Sequence, residues 1–88
     1  MGTLTVRVLF FASLREAVCE DALEVRLPSG ATVADLRTLL GERLSGEGAR
    51  AIADGDVRVA VNQRLLQSPD ARLAAGDEVA FLPPITGG

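Results

Sequence analysis

Few residues in this 88-residue sequence can do chemistry. It contains no histidine and no lysine, because all nine basic residues are arginines, and its one cysteine is Cys19. Without histidine the usual proton-transfer group near neutral pH is missing, and without lysine there is neither a Schiff base nor a Walker-type phosphate grip. A lone cysteine makes no internal disulfide and no zinc cluster. An autonomous enzyme would have to work with carboxylates, hydroxyls and one thiol, so the composition points to a binding or carrier protein. The feature that remains is the final stretch, Phe81-Leu82-Pro83-Pro84-Ile85-Thr86-Gly87-Gly88. Glycine has no Cβ, so Gly87 and Gly88 make a tail thin enough to thread a narrow channel and present the Gly88 carboxylate inside another protein. The chemistry then lies at that carboxylate.

Pro83 and Pro84 fix φ near -65° and predict an extended exit that lifts the tail off the preceding strand. Cys19 is the rival for carrying a reactive group. It is followed by Glu20 and Asp21 and has no adjacent base to activate a thiol, so it reads as a small apolar residue. Phe11, Leu65 and Leu82 fall on or near strand positions opposite the core-facing set and form a candidate partner patch, with ordinary core packing as the alternative. Arg15 is either a partner contact or a solvated surface arginine.

These residues must be positioned by one domain, since 88 residues at 48% hydrophobic content suffice for a single core. No apolar run approaches the roughly 20 residues needed to cross a bilayer, and the N-terminus enters strand-like alternation without signal-peptide features. Those features and the single cysteine predict a cytoplasmic protein. A net charge of -3 with neither tryptophan nor tyrosine argues against nucleic acid as a partner.

Alternation predicts a strand over 4–11 with Val6, Val8 and Phe10 inward, and leaves Leu9 and Phe11 as surplus apolar groups on the other side. Residues 12–22 predict a connecting helical turn with Ser13 as a possible N-cap, and 23–27 a second strand ended by the turn at 28–30. Residues 31–44 are the main helix, with Thr32 and Asp35 as a capping box and Val33, Leu36, Leu39, Leu40 and Leu44 as its apolar stripe. Residues 45–56, mixing glycines and acids, read as a loop with a turn of helix around 49–53. A strand at 57–61 with its valines inward, a turn at Asn62 and Gln63, a short extended piece at Leu65 and Leu66, and a last strand at 78–82 complete the order. One helix across a mixed sheet of four to five strands is the economical way to bury these one-sided elements. The class is α+β, expected as a ubiquitin-like β-grasp with the last strand beside the first, residues 1–82 forming the domain and 83–88 the tail.

The segments VRVLFFASLRE, ATVADLRTLL, VAVNQ and GDEVAFLPPITGG together resemble the MoaD family, the sulfur-carrier small subunits of molybdopterin synthase, over essentially the whole chain. The VNQ turn and the diglycine are shared with ThiS-type carriers. The resemblance implies that Gly88 is adenylated by an E1-like activating enzyme using ATP and then converted to a thiocarboxylate with sulfur from a donor protein. The tail would then enter the large catalytic subunit, in an assembly of two large and two small subunits, and give its sulfur to cyclic pyranopterin monophosphate. It implies no bound cofactor or metal, and a partner-contacting segment that includes Leu82, Pro83, Pro84, Ile85 and Thr86. Leu82 stands where members often have phenylalanine. A carrier for thiazole or transfer-RNA thiolation, and a ubiquitin-like modifier joined to target lysines, remain the alternatives.

Overall fold

A computed structural model describes residues 2–66, 68 and 70–83. Strand β1, Thr3–Phe10, alternates as its sequence does, with Leu4, Val6, Val8 and Phe10 buried and Thr3, Thr5 and Arg7 exposed. It pairs antiparallel with β2, Ala22–Pro28, from Thr3 opposite Pro28 to Leu9 opposite Ala22. On its other side it pairs parallel with β5, Glu78–Leu82, in the register Val8–Val79 and Phe10–Phe81. Strand β3, Arg58–Val61, runs antiparallel to β5, and β4, Arg64–Leu65, hangs on its outer edge. The sheet order is β2-β1-β5-β3-β4, so the last strand is clamped between the first and the third. That is the expected mixed β-grasp sheet, with five strands.

Helix α2, Val33–Arg43, is the main helix and starts as its sequence predicts. The Thr32 hydroxyl accepts from Asp35 N–H at 3.2 Å and the Asp35 carboxylate accepts from Thr32 N–H at 2.9 Å. Val33, Leu36 and Leu40 are buried, and they join Val6, Val8, Val25, Val79 and Phe81 in one core. Leu39 and Leu44 pack at its edge. At about 1.5–3 kcal/mol per fully buried aliphatic or aromatic side chain, this shared core is what holds helix to sheet.

Three expectations need correction. Residues 45–56 are more than a loop with one helical turn, because α3 runs from Gly46 to Ala53 with Ile52 and Gly48 buried. Glycine opposes helix in isolation, but Gly48 lets α3 approach α1, Ser13–Val18, so closely that a Cβ there would meet Ala17 O and Val18 Cα at 3.3 Å. Tertiary packing overrides propensity. The Arg37 guanidinium on α2 then ties down the far end, its Nη2 donating to Ile52 O at 2.7 Å and Asp54 O at 2.9 Å. The main helix therefore shares the sheet with two shorter ones. Third, Ser13 is the first residue of α1 and not its cap: Ala12 holds that place, at φ 53°, with no side-chain cap bond.

The Asn62-Gln63 turn lies as expected between β3 and β4, with φ of 51° and 71°. Asparagine tolerates this left-handed region, which suits a two-residue hairpin. Asn62 also anchors the start of β5: its Nδ2 donates to Asp77 Oδ1 at 2.9 Å and its Oδ1 accepts from Glu78 N–H at 3.0 Å.

Candidate functional site

Alternation along β5 buries Val79 and Phe81 and leaves Glu78, Ala80 and Leu82 half-buried on the opposite face of the sheet. Pairing then extends this outer face sideways. Leu9 lies beside Ala22 and Ala80, Ala80 beside Ala60, and Ala60 beside Leu65. The result is an unbroken apolar row, Ala22-Leu9-Ala80-Ala60-Leu65, one residue from each of the five strands. Toward the C-terminal end of β5 the row is extended by Leu82 and by Phe11, whose N–H donates to Phe81 O at 3.2 Å. Toward the other end, the next row is Glu24-Arg7-Glu78, with alternating charge. The outer face is therefore divided, and its largely apolar half, which carries exposed Arg58 opposite Leu82, is the half from which Pro83 leads into the tail.

Phe11 at 44% and Leu65 at 51% are the large exposed hydrophobic residues among the described ones. Leu82 is half-buried, as is Pro83, and so is less exposed than Phe11 and Leu65. Arg15 is exposed, and its Nε lies 3.7 Å from Asp21 Oδ1 of its own chain, a surface pair worth at most about 1 kcal/mol. Cys19 is exposed rather than a buried apolar filler, its Sγ 3.5 Å from Glu16 O. It occupies the left-handed C-cap of α1 at φ 65°. Pro84, Ile85, Thr86, Gly87 and Gly88 lie outside the described residues.

Ala22, Ala60 and Ala80 were not legible as site residues, because alanine fits either face of a strand; only the register places them in one row. A groove of about 500 Å³ lies between the end of β2 and α2, lined by residues such as Leu27, Pro28, Asp35, Leu39 and Glu42. It sits at the end of β2 paired with the start of β1, away from the exit of the tail. No helix among the described residues is long and apolar enough to cross a membrane.

Residues 8–88 match the family model described as the ThiS family, which spans both the sheet and the diglycine end. The chain belongs to the ThiS family. It is 48% identical over 83 residues to the molybdopterin synthase sulfur carrier subunit of Escherichia coli (strain K12), covering 94% of this chain and 99% of that one. Its fold is similar to the solution structure of a Haloferax volcanii protein, with a TM-score of 0.82 and 34% identity, covering 99% of this chain and 89% of that one. It is also similar to a chain in the Helicobacter pylori complex of subunits 1 and 2 of molybdopterin-converting factor, with a TM-score of 0.67 and 27% identity over 97% of this ThiS-family chain and all of that one.

Proposed function

We propose that this ThiS-family protein is the sulfur-carrier subunit of a molybdopterin synthase. The observation that carries the proposal is the 48% identity to the Escherichia coli carrier over nearly the whole length of both chains. The apolar half-face at the root of the tail fits it, because a carrier must dock on a partner while its end reaches into that partner's site.

The chemistry needs no side chain of this protein. The Gly88 carboxylate attacks the α-phosphorus of ATP in the activating enzyme, forming an acyl adenylate and releasing pyrophosphate. A persulfide or sulfide from a donor protein then attacks the acyl carbon, the bond to the phosphate oxygen breaks, and AMP leaves. After persulfide attack, a second thiolate of the donor protein attacks the donor-side sulfur of the resulting acyl disulfide, the S–S bond breaks, the thiocarboxylate leaves with the electron pair, and the donor is left as a disulfide. Docked through Phe11, Leu65 and Leu82 on the large catalytic subunit, the tail presents that sulfur to cyclic pyranopterin monophosphate. An assembly of two large and two small subunits in the cytoplasm is part of the proposal.

The test is reconstitution with a large subunit, an activating enzyme, ATP and a sulfur donor. The full chain supports pterin product, and a chain lacking Gly88 supports none while melting at an unchanged temperature, because the buried core of the described residues runs from Leu4 to Phe81. Product formation without Gly88 overturns the proposal.

A further inference from the structure

Strand β2 is the long free edge of the sheet. It pairs with β1 on one side and has no neighbouring strand among the described residues on the other, whereas the opposite edge, β4, is only two residues long. At the two ends of the β1–β2 ladder, Phe10 N–H donates to Asp21 O and Ser29 N–H to Gly2 O, each at 3.0 Å. Backbone groups alternate sides along a strand, so Leu23, Val25 and Leu27 turn theirs to β1, and Ala22, Glu24 and Arg26 turn theirs to the free edge. Such an edge templates another strand unless a bulge, an inward charge or lysines blunt it. The register of β2 is continuous, its inward side chains are apolar, and its exposed charges, Glu24 and Arg26, are of opposite sign. Pro28, without an N–H, blunts only the last position.

We propose that β2 pairs antiparallel with β2 of a second copy of this chain, in the register that sets Glu24 opposite Arg26, so that two sheets become one. Backbone geometry and charge select that register. Hydrogen-bonded pairs must join two edge-facing residues, which leaves a choice of central registers. Centring on Glu24 or on Arg26 places that residue opposite itself, with like charges together. Centring on Val25 places Glu24 of each copy opposite Arg26 of the other, and the two-fold axis repeats the pair. Both charged residues then exchange N–H···O bonds in both directions. On the helix side, Leu23 of each copy comes opposite Leu27 of the other, at the groove between β2 and α2 that half-buried Leu39 also lines. Paired residues point to the same face, so both apolar rows lie on one side of the joined sheet and stay open. An edge of seven residues buries less than a standard interface, which makes the dimer a weak one, with Kd on the order of 0.1–1 mM.

Sedimentation and NMR of the full chain, from tens of micromolar to millimolar, test the pairing. Dimer is expected to grow with concentration, and hydrogen exchange to slow at the Glu24 and Arg26 amides but not at Val25, whose N–H is already bonded to β1. E24R and R26E each set like charges across the two-fold axis and are expected to weaken the dimer about tenfold. An equal mixture of E24R and R26E is complementary again in both pairs, and is expected to form a mixed dimer as tight as the parent's, which a merely damaged fold would not do. Thermal melts check each variant, since Glu24 also lies opposite Arg7. Should either variant fail to fold, the parent's exchange pattern decides. A parent that stays monomeric at millimolar concentration, or whose concentration-dependent protection falls away from Glu24 and Arg26, overturns the proposal. So do folded reversal variants that dimerise like the parent and show no preference for each other.

Discussion

Replacing Leu65 by aspartate tests whether the divided outer face is a docking surface. Leu65 is 51% exposed on a two-residue edge strand whose residues are both exposed, so the side chain contributes little to the core. Full burial of a leucine is worth about 1.5–3 kcal/mol, and about half of that remains to be gained when a partner covers this one. Leu65→Ala then costs about 1 kcal/mol of affinity, close to fivefold in Kd. Leu65→Asp also places a carboxylate against an apolar surface, which brings the loss to at least about 2 kcal/mol, or roughly thirtyfold. Calorimetric titration with the large subunit measures Kd at fixed salt, and a thermal melt checks that the domain is intact. A Kd within twofold of the parent for a folded Leu65→Asp protein would refute the assignment of the apolar row and leave the tail as the sole contact.

Cys19→Ser should gain sulfur at Gly88 as fast as the parent, measured by intact mass, since the thiol lies on α1 and takes no part in the acyl chemistry; loss of loading in a folded variant would make it a relay. Gly48→Val should destabilise the domain by about 1–3 kcal/mol in urea unfolding, because its branches meet Ala17 O and Val18 Cα where even a Cβ is tight at 3.3 Å; an unchanged midpoint would mean the α1–α3 contact yields freely. Asn62→Ala removes two side-chain hydrogen bonds and places alanine at φ 51°, which should cost about 1–2 kcal/mol. At about 4–8 °C per kcal/mol for a domain of this size, a melting point lowered by less than 2 °C would contradict the anchoring of β5 by Asn62.

The strands and α2 were legible because each advertises one period: alternation in 4–11 and 78–82, a helical stripe behind a capping box in 31–44. The Asn62-Gln63 turn was legible from asparagine's tolerance of positive φ. Helix α3 was not, because its glycines argue against helix locally and what stabilises it, Ile52 in the core and Gly48 against α1, is tertiary. Phe11 and Leu65 stood out as large apolar residues out of phase with the core. The row that joins them did not, since Ala22, Ala60 and Ala80 carry no facial signal and are brought into one row only by the β1–β2, β1–β5 and β3–β5 registers. Arg58 was likewise silent until that sheet placed it beside Leu82.

The most direct measurement is the intact mass of the chain after incubation with the activating enzyme, ATP and a sulfur donor, followed by fragmentation. Replacing one carboxylate oxygen by sulfur adds about 16 Da, and the carrier function predicts that the increment sits on residue 88 and vanishes when ATP is withheld. An unchanged mass with an activating enzyme proven competent on another carrier, or an increment localised to Cys19, would contradict it.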